Sequence, residues 1–146
     1  MKFSIAQADQ QYANQIMELV IEWGYPANQQ DVKSWLDALN DSPNHKVLIA
    51  LSENVVAGWI VFEKRIGMGV GFTTEITGLS VSSRFRRMGI GHKLAMAAEQ
   101  WSLEQGISNM VVCSNITRKD SHAFYPSIGY QFKKKQSYYI KPLTDN

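Results

Sequence analysis

Over the first 40 residues, apolar side chains recur at helical spacing. Ile16, Leu19, Val20 and Trp23 fall on one face of a first helix, which Asp9 is placed to cap and Gly24-Tyr-Pro26 ends. Val32, Trp35, Leu36 and Leu39 repeat the pattern in a second helix from about Gln29 to Leu39. Ahead of both, Phe3-Ser-Ile5 reads as a short strand. After the turn at Asn40-Asp-Ser-Pro43 the pattern changes. Two strand-like runs, residues 46–51 and 55–63, flank Ser52-Glu-Asn54, which predicts an antiparallel hairpin. Gly67-Met-Gly-Val-Gly71 then leads into a strand over residues 72–81. A long helix follows Gly89, with Ile90, Leu94, Ala97 and Trp101 as a core stripe and Gly106 as its stop. Residues 110–113 read as a buried strand and 120–127 as a short helix closed near Gly129. Residues 130–133 and 137–141 read as a final pair of strands.

The predicted order, βααβββαβαββ, belongs to one α+β domain over residues 1–146, with a mixed, mostly antiparallel sheet and helices on both faces. A chain of 146 residues with 45% hydrophobic content can bury one good core, which leaves little for a second domain. The formal charge of +2 and the short basic clusters at 84–87 and 133–135 argue against nucleic-acid binding. Cys113 is the only cysteine, so neither a disulfide framework nor a thiolate metal site is available; its apolar neighbours Met110-Val-Val112 predict a buried core thiol. His45, His92 and His122 lack metal-site spacing, and no metal is expected. The amino terminus has no apolar block of signal-peptide length, and nothing approaches the roughly 20 apolar residues of a membrane span. A cytoplasmic protein without a membrane partner is the expectation.

The most informative chemistry lies at Arg86-Arg-Met-Gly-Ile-Gly91, between the strand-like Ile76-Thr-Gly-Leu-Ser-Val81 and the long helix. Bare backbone N–H groups at a helix start can hold phosphate oxygens, glycines let the chain turn and approach a ligand, and the arginines make the approach electropositive. The string is neither a mononucleotide GxxxxGK[ST] loop nor a three-glycine dinucleotide fingerprint. An ordinary left-handed turn is the alternative. The glycines of 67–71 are set aside as a phosphate loop because no helical pattern follows them directly.

Residues 76–130 resemble the acetyl-CoA-binding core of the GCN5-related N-acetyltransferases, the GNAT family. The family pattern R/Q-x-x-G-x-G/A falls on Arg86-x-x-Gly89-x-Gly91, and Ser121-His-Ala-Phe-Tyr-Pro-Ser-Ile-Gly-Tyr130 is similar to the family's closing A-x-x-F-Y-x-x-x-G-F/Y signature. The two signals occur in the family's order. The resemblance covers the second half strongly and the first half only in topology.

The resemblance implies acetyl-CoA as co-substrate and direct transfer to an amine, with no enzyme nucleophile. Backbone groups of the Leu79-Ser80-Val81 stretch would hold the pantetheine arm as an added strand. The loop Arg86, Arg87, Met88, Gly89, Ile90, Gly91 and His92 would receive the pyrophosphate. Glu75 would take the amine proton, directly or through water, the alternative being a solvent-facing strand carboxylate. Period two places Glu75, Thr77, Leu79 and Val81 on one face unless a bulge intervenes. Tyr125 would donate to the departing CoA sulfur, or else pack as a core aromatic. The family often has Asn where this chain has Arg118, so Asn115 is the candidate for a hydrogen bond to pantetheine, and Arg118 for a phosphate or an acidic acceptor. Trp23, also readable as core, Tyr25, Glu75 and Tyr138 would rim the acceptor groove. The implied acceptor is a small-molecule primary amine such as a polyamine, aminoglycoside or amino-acid derivative. A protein or peptide acceptor and a noncatalytic acyl-CoA sensor are the alternatives, and a homodimer is left open.

Overall fold

The structure, a computed structural model, describes residues 2–114 and 119–145. The chain forms two compact units, Met1–Cys113 and Ser114–Asn146. The first holds β1 (Ser4–Gln7), α1 (Ala13–Trp23), α2 (Gln29–Asp41), β2 (His45–Ser52), β3 (Val55–Gly67), β4 (Gly71–Val81), α3 (Ile90–Glu104) and β5 (Met110–Val112). The second holds α4 (Lys119–Ser127).

Local chemistry sets most of the boundaries. The Asp9 carboxylate accepts the Gln11 N–H at 3.0 Å, capping a 3-10 turn at Gln10–Tyr12 that runs into α1. Gly24 ends α1 in the left-handed region, at φ 114°. The Asn28 side chain accepts from Asp31 N–H at 2.8 Å and starts α2. Glu53 and Asn54 both take positive φ, 49° and 69°, as a tight two-residue hairpin requires.

The sheet order is β1-β2-β3-β4-β5; the first four strands run antiparallel and β5 lies parallel to β4. The α3 crossover between β4 and β5 permits that parallel pairing. One sheet face, with Val47, Ile49 and Trp59, packs on Ile16 and Leu19 of α1 and Val32 and Leu36 of α2. On the other, Phe62 meets Trp101 of α3 at 5.2 Å between ring centroids, and Ser102 Oγ donates to Thr74 Oγ1 at 2.7 Å. Helices on both faces of a mostly antiparallel sheet are what the sequence predicts.

Several details differ. The buried stripe of α3 is Ile90, Leu94, Ala95, Ala98 and Ser102, so Ala97 and Trp101 sit at its margin, half-buried. On α2, Trp35 is 47% exposed rather than core. The strand at 110–112 is not buried, and Cys113 is exposed instead of a core thiol. The reason is position: β5 is an edge strand that pairs at only three residues, and apolar composition does not distinguish an edge from a centre. In the second unit α4 contains Pro126, and Gly129 follows at φ 101°. Residues 130–141 form no strand; Phe132, Tyr138, Tyr139 and Ile140 are exposed. The run Lys133-Lys-Lys135 interrupts the apolar alternation, and that unit offers no strand among its described residues for pairing.

Candidate functional site

The segment between β4 and α3 is built mainly from backbone. Ser82 Oγ accepts from Arg84 N–H at 3.3 Å and opens a 3-10 turn, Ser83–Phe85, anchored by the buried Phe85 ring. Arg87 and Gly89 then adopt positive φ, 64° and 76°. The first helical bond of α3 is Lys93 N–H to Gly89 O, at 3.0 Å. The amides of Ile90, Gly91 and His92 therefore come before any carbonyl of their own helix can accept them, at the positive end of a 15-residue helix. Amides placed in this way are able to hold an anion such as a pyrophosphate. A Cβ at Gly89 would meet nothing within 4 Å, so φ, not crowding, requires glycine there. Gly91 does not share that role. It is the second residue of α3 and has no positive φ; its contribution is a missing side chain beside the free amides. Arg86, Arg87, Met88 and His92 are exposed, whereas the Ile90 side chain is buried and anchors the turn.

Glu22, at the end of α1, is a member of this site that the sequence does not reveal. Its Oε1 accepts the Ser83 N–H at 2.7 Å and lies 3.8 Å from Arg86 Nη2. A contact spanning 61 residues has no local signal.

The edge of β4 beyond the loop is open. Its pairing with β5 covers only Thr74–Ile76; Gly78 to Val81 pair with β3 alone among the described residues. Leu79, Ser80 and Val81 thus offer a strand edge that an extended ligand arm can join. The bulge anticipated as an exception is present: Phe62 pairs with Ile76 and Val61 with Gly78, which leaves Thr77 as the extra residue. Its hydroxyl donates to Val61 O at 3.3 Å. Glu75, opposite Glu63, consequently shares a face with Gly78 and Ser80, not with Leu79 and Val81.

That shared face is the one covered by α1 and α2. Glu75 Oε1 accepts from Arg65 Nη1 at 2.9 Å. Directly across, Glu63 Oε2 lies 2.8 Å from His45 Nε2. Two carboxylates facing each other would repel, and each has a basic partner beside it. Two residues along, the strands line a cavity of about 360 Å³ walled by Trp23, Tyr25, Trp35, Leu36, Trp59 and Val61, with no charged residue in its lining. Trp23 packs edge-on against Trp59 at 5.3 Å and on Tyr25 at 4.8 Å. Gly78 makes room for the indoles: a methyl group there would stand 2.6 Å from Trp59 Cζ3. Trp59 is 5% exposed, and its Nε1–H has no hydrogen-bond partner among the described residues. Neither Trp59 nor Gly78 stands out in the sequence as part of a site.

In the second unit Tyr125 lies on α4, half-buried, with ring contacts to Phe124 at 5.1 Å and Tyr130 at 5.6 Å. Burial pushes its phenol up to about 12, so the hydroxyl holds its proton at neutral pH and can serve as a donor. Tyr138 is exposed. Asn115 and Arg118 lie outside the described residues. The first unit thus brings together the loop 86–92, the β4 edge, Glu75 and the Trp23–Tyr25 corner, while Tyr125 and Tyr138 belong to the second. Among the described residues there is no cluster of three or more His, Cys, Asp or Glu that could hold a metal, and no helix long and apolar enough to cross a membrane.

Comparison with known proteins agrees with this geometry. Residues 10–130 match the family model described as the acetyltransferase (GNAT) family. No curated protein matches the sequence. The fold is similar to that of aminoglycoside N-acetyltransferase AAC(6')-Iy, solved with CoA, at a TM-score of 0.87 and 16% identity, covering 96% of this chain and 95% of that one. The aminoglycoside 6'-N-acetyltransferase AAC(6')-IG from Acinetobacter haemolyticus gives 0.84 at 19% identity, covering 97% and 99%. A GNAT family acetyltransferase from Staphylococcus aureus gives 0.77 at 21% identity, covering 98% and 100%. At such identities these structures establish the fold and leave the acceptor open.

Proposed function

The chain belongs to the GNAT acetyltransferase family, whose reaction is acetyl-CoA-dependent N-acetylation, and on that premise we propose that it acts on a primary amine of a small molecule. Both units serve one N-acetyltransferase domain in this reading, in keeping with a family match that runs across the division at residue 113. The observation that carries it is the loop 86–92. Left-handed Arg87 and Gly89 lead into three helix amides that precede the first helical bond, beside a strand edge that has no neighbour from residue 78 onward among the described residues.

Acetyl-CoA supplies an acetyl group on a thioester that an uncharged amine can attack. The amides of Ile90, Gly91 and His92 hold the pyrophosphate, Arg86 and Arg87 add charge, and the Leu79-Ser80-Val81 edge aligns the pantetheine arm. Asn115 and Arg118 are kept as further cofactor contacts on the family resemblance. Glu75 receives the proton the amine must lose, directly or through a water, while Arg65 holds the carboxylate in place. Tyr125, protonated at neutral pH, gives its proton to the leaving sulfur. Trp23 and Tyr25 form the acceptor wall, with Tyr138 as a further rim residue on the resemblance. The compartment proposed is the cytoplasm. A homodimer is proposed through the exposed Ile66, Met68, Val70 and Phe72 of the β3–β4 hairpin, to be checked by sedimentation.

Release of free CoA thiol over a panel of small amines and peptides tests the function. The expected result is release that depends on a small amine. Release with peptides alone, or with nothing, would reject it.

A further inference from the structure

We infer that the cavity between α1, α2 and the sheet is the acceptor subsite, and that it selects a primary amine carried on an apolar, ring-sized body through a short alkyl arm. The inference rests on the acetyltransferase reading and narrows its acceptor class.

Three features meet on one face of the sheet. The first is the cavity itself, about 360 Å³, within the size range of small-molecule sites and walled by three indoles, a phenol and aliphatic groups. A polyhydroxylated polycation has no complement there. Each buried hydroxyl or ammonium would lose its water without a partner, whereas an aromatic or branched aliphatic body would gain from leaving water. The second is the ring of Trp59, a residue 5% exposed that lines the cavity. Its Nε1–H is closed to solvent, so the indole offers carbon surface and no polar group that a ligand hydroxyl or ammonium could use. The third is the carboxylate pair. Val61, which lines the cavity, pairs with Gly78, and two residues further along β3 Glu63 pairs with Glu75. Strand rise puts that row roughly 7 Å from Val61, the reach of a short alkyl arm. Glu63 and Glu75 are matched to His45 and Arg65, yet both remain partly open, with side-chain exposures of 26% and 19%. An ammonium arriving there meets negative charge next to the residue proposed to take its proton.

Apolar lining, indole walls and carboxylates displaced to one end describe an arylalkylamine or a comparable hydrophobic amine. Gly78 ties the parts together: it admits the indoles of Trp59 and Trp23 over β4, within one strand of the edge assigned to the pantetheine arm.

The test uses the full-length protein with phenethylamine, tryptamine, spermidine and neamine as probes. CoA release gives kcat and KM, and the Trp59 indole N–H resonance, assigned by Trp59→Phe, reports binding without catalysis. Phenethylamine or tryptamine should have a kcat/KM at least about tenfold above spermidine and neamine, and should shift the Trp59 resonance. Trp35→Ala and Tyr25→Ala, both at half-exposed positions and checked for folding by circular dichroism, should raise the KM of the aromatic amine about fivefold or more and leave acetyl-CoA affinity unchanged. Preferred turnover of neamine or spermidine, unmoved by either variant, would overturn the inference and leave the acetyltransferase reading standing. So would an aromatic preference that both variants leave intact. No CoA release with any amine, despite saturable acetyl-CoA binding, would instead overturn the functional reading and this inference with it.

Discussion

The loop before α3 and the cavity under α1 and α2 lie in the same unit, yet they are made differently. The loop is a main-chain feature: two left-handed residues lead into three amides that precede the first helical bond, and its side chains anchor or add charge. The cavity works through side chains, and its backbone only sets their spacing. Backbone function confines sequence narrowly, because few residues besides glycine tolerate φ near 76°. Side-chain function confines it loosely, since many sets of large apolar residues wall a space of similar volume. A family can therefore share a cofactor loop while its members diverge in acceptor.

The sharpest way to break this contrast is at Gly89. Gly89→Val places a β-branched residue in the left-handed region, and we expect acetyl-CoA affinity to fall about a hundredfold, roughly 2.7 kcal/mol, while circular dichroism is retained. Gly89→Asn, which tolerates that region, should lose far less. Equal losses in the two variants, read by calorimetry, would mean that φ is not what matters.

Chemistry should separate from binding at Glu75 and Tyr125. Glu75→Gln should lower kcat about tenfold or more at neutral pH, with acetyl-CoA affinity kept. A wild-type kcat would make Glu75 only the partner of Arg65. Tyr125→Phe should slow the chemical step about tenfold, roughly 1.4 kcal/mol of barrier, when measured by rapid quench. With its phenol raised to about 12, Tyr125 stays protonated across pH 8–10, so no loss of rate in that interval should trace to it. The stabilising contribution of the buried neutral phenol is complete below the unfolded value of 10 and is lost as pH rises through about 12. Alkaline unfolding of Tyr125→Phe should therefore show less pH dependence in that window.

The smallest expected effect on the cofactor comes from the cavity side. Gly78→Ala forces a methyl group into the Trp59 ring and should destabilise the protein by about 1–3 kcal/mol, raise acceptor KM and leave acetyl-CoA affinity within about twofold. A matching loss of acetyl-CoA affinity would show the two regions to be one.

What can be read in the sequence follows the same division. Asp9, Gly24, the Glu53-Asn54 turn and Gly89 all act on neighbours a few residues away, and each marks its boundary in the chain. The Arg86-to-Gly91 string and the order of elements carry enough to reach the family. Less legible are features decided at a distance. Nothing near Glu22 indicates that it holds Ser83, and the Thr77 bulge that moves Glu75 away from the face of Leu79 is visible only in the β3–β4 register. Trp35 and Cys113 carry core-like patterns but lie at a cavity mouth and on a sheet edge. The strands expected at 130–133 and 137–141 fail because alternation requires a partner strand that composition does not supply.

The most direct test of the central claim is an amide-resolved titration of the labelled protein with CoA and, separately, with pantetheine, which lacks the pyrophosphate. The backbone account predicts that CoA shifts the amides of Gly89, Ile90, Gly91 and His92 most strongly, while pantetheine moves residues 78–81 and leaves those four in place. Saturation by CoA with the four amides unmoved would contradict it.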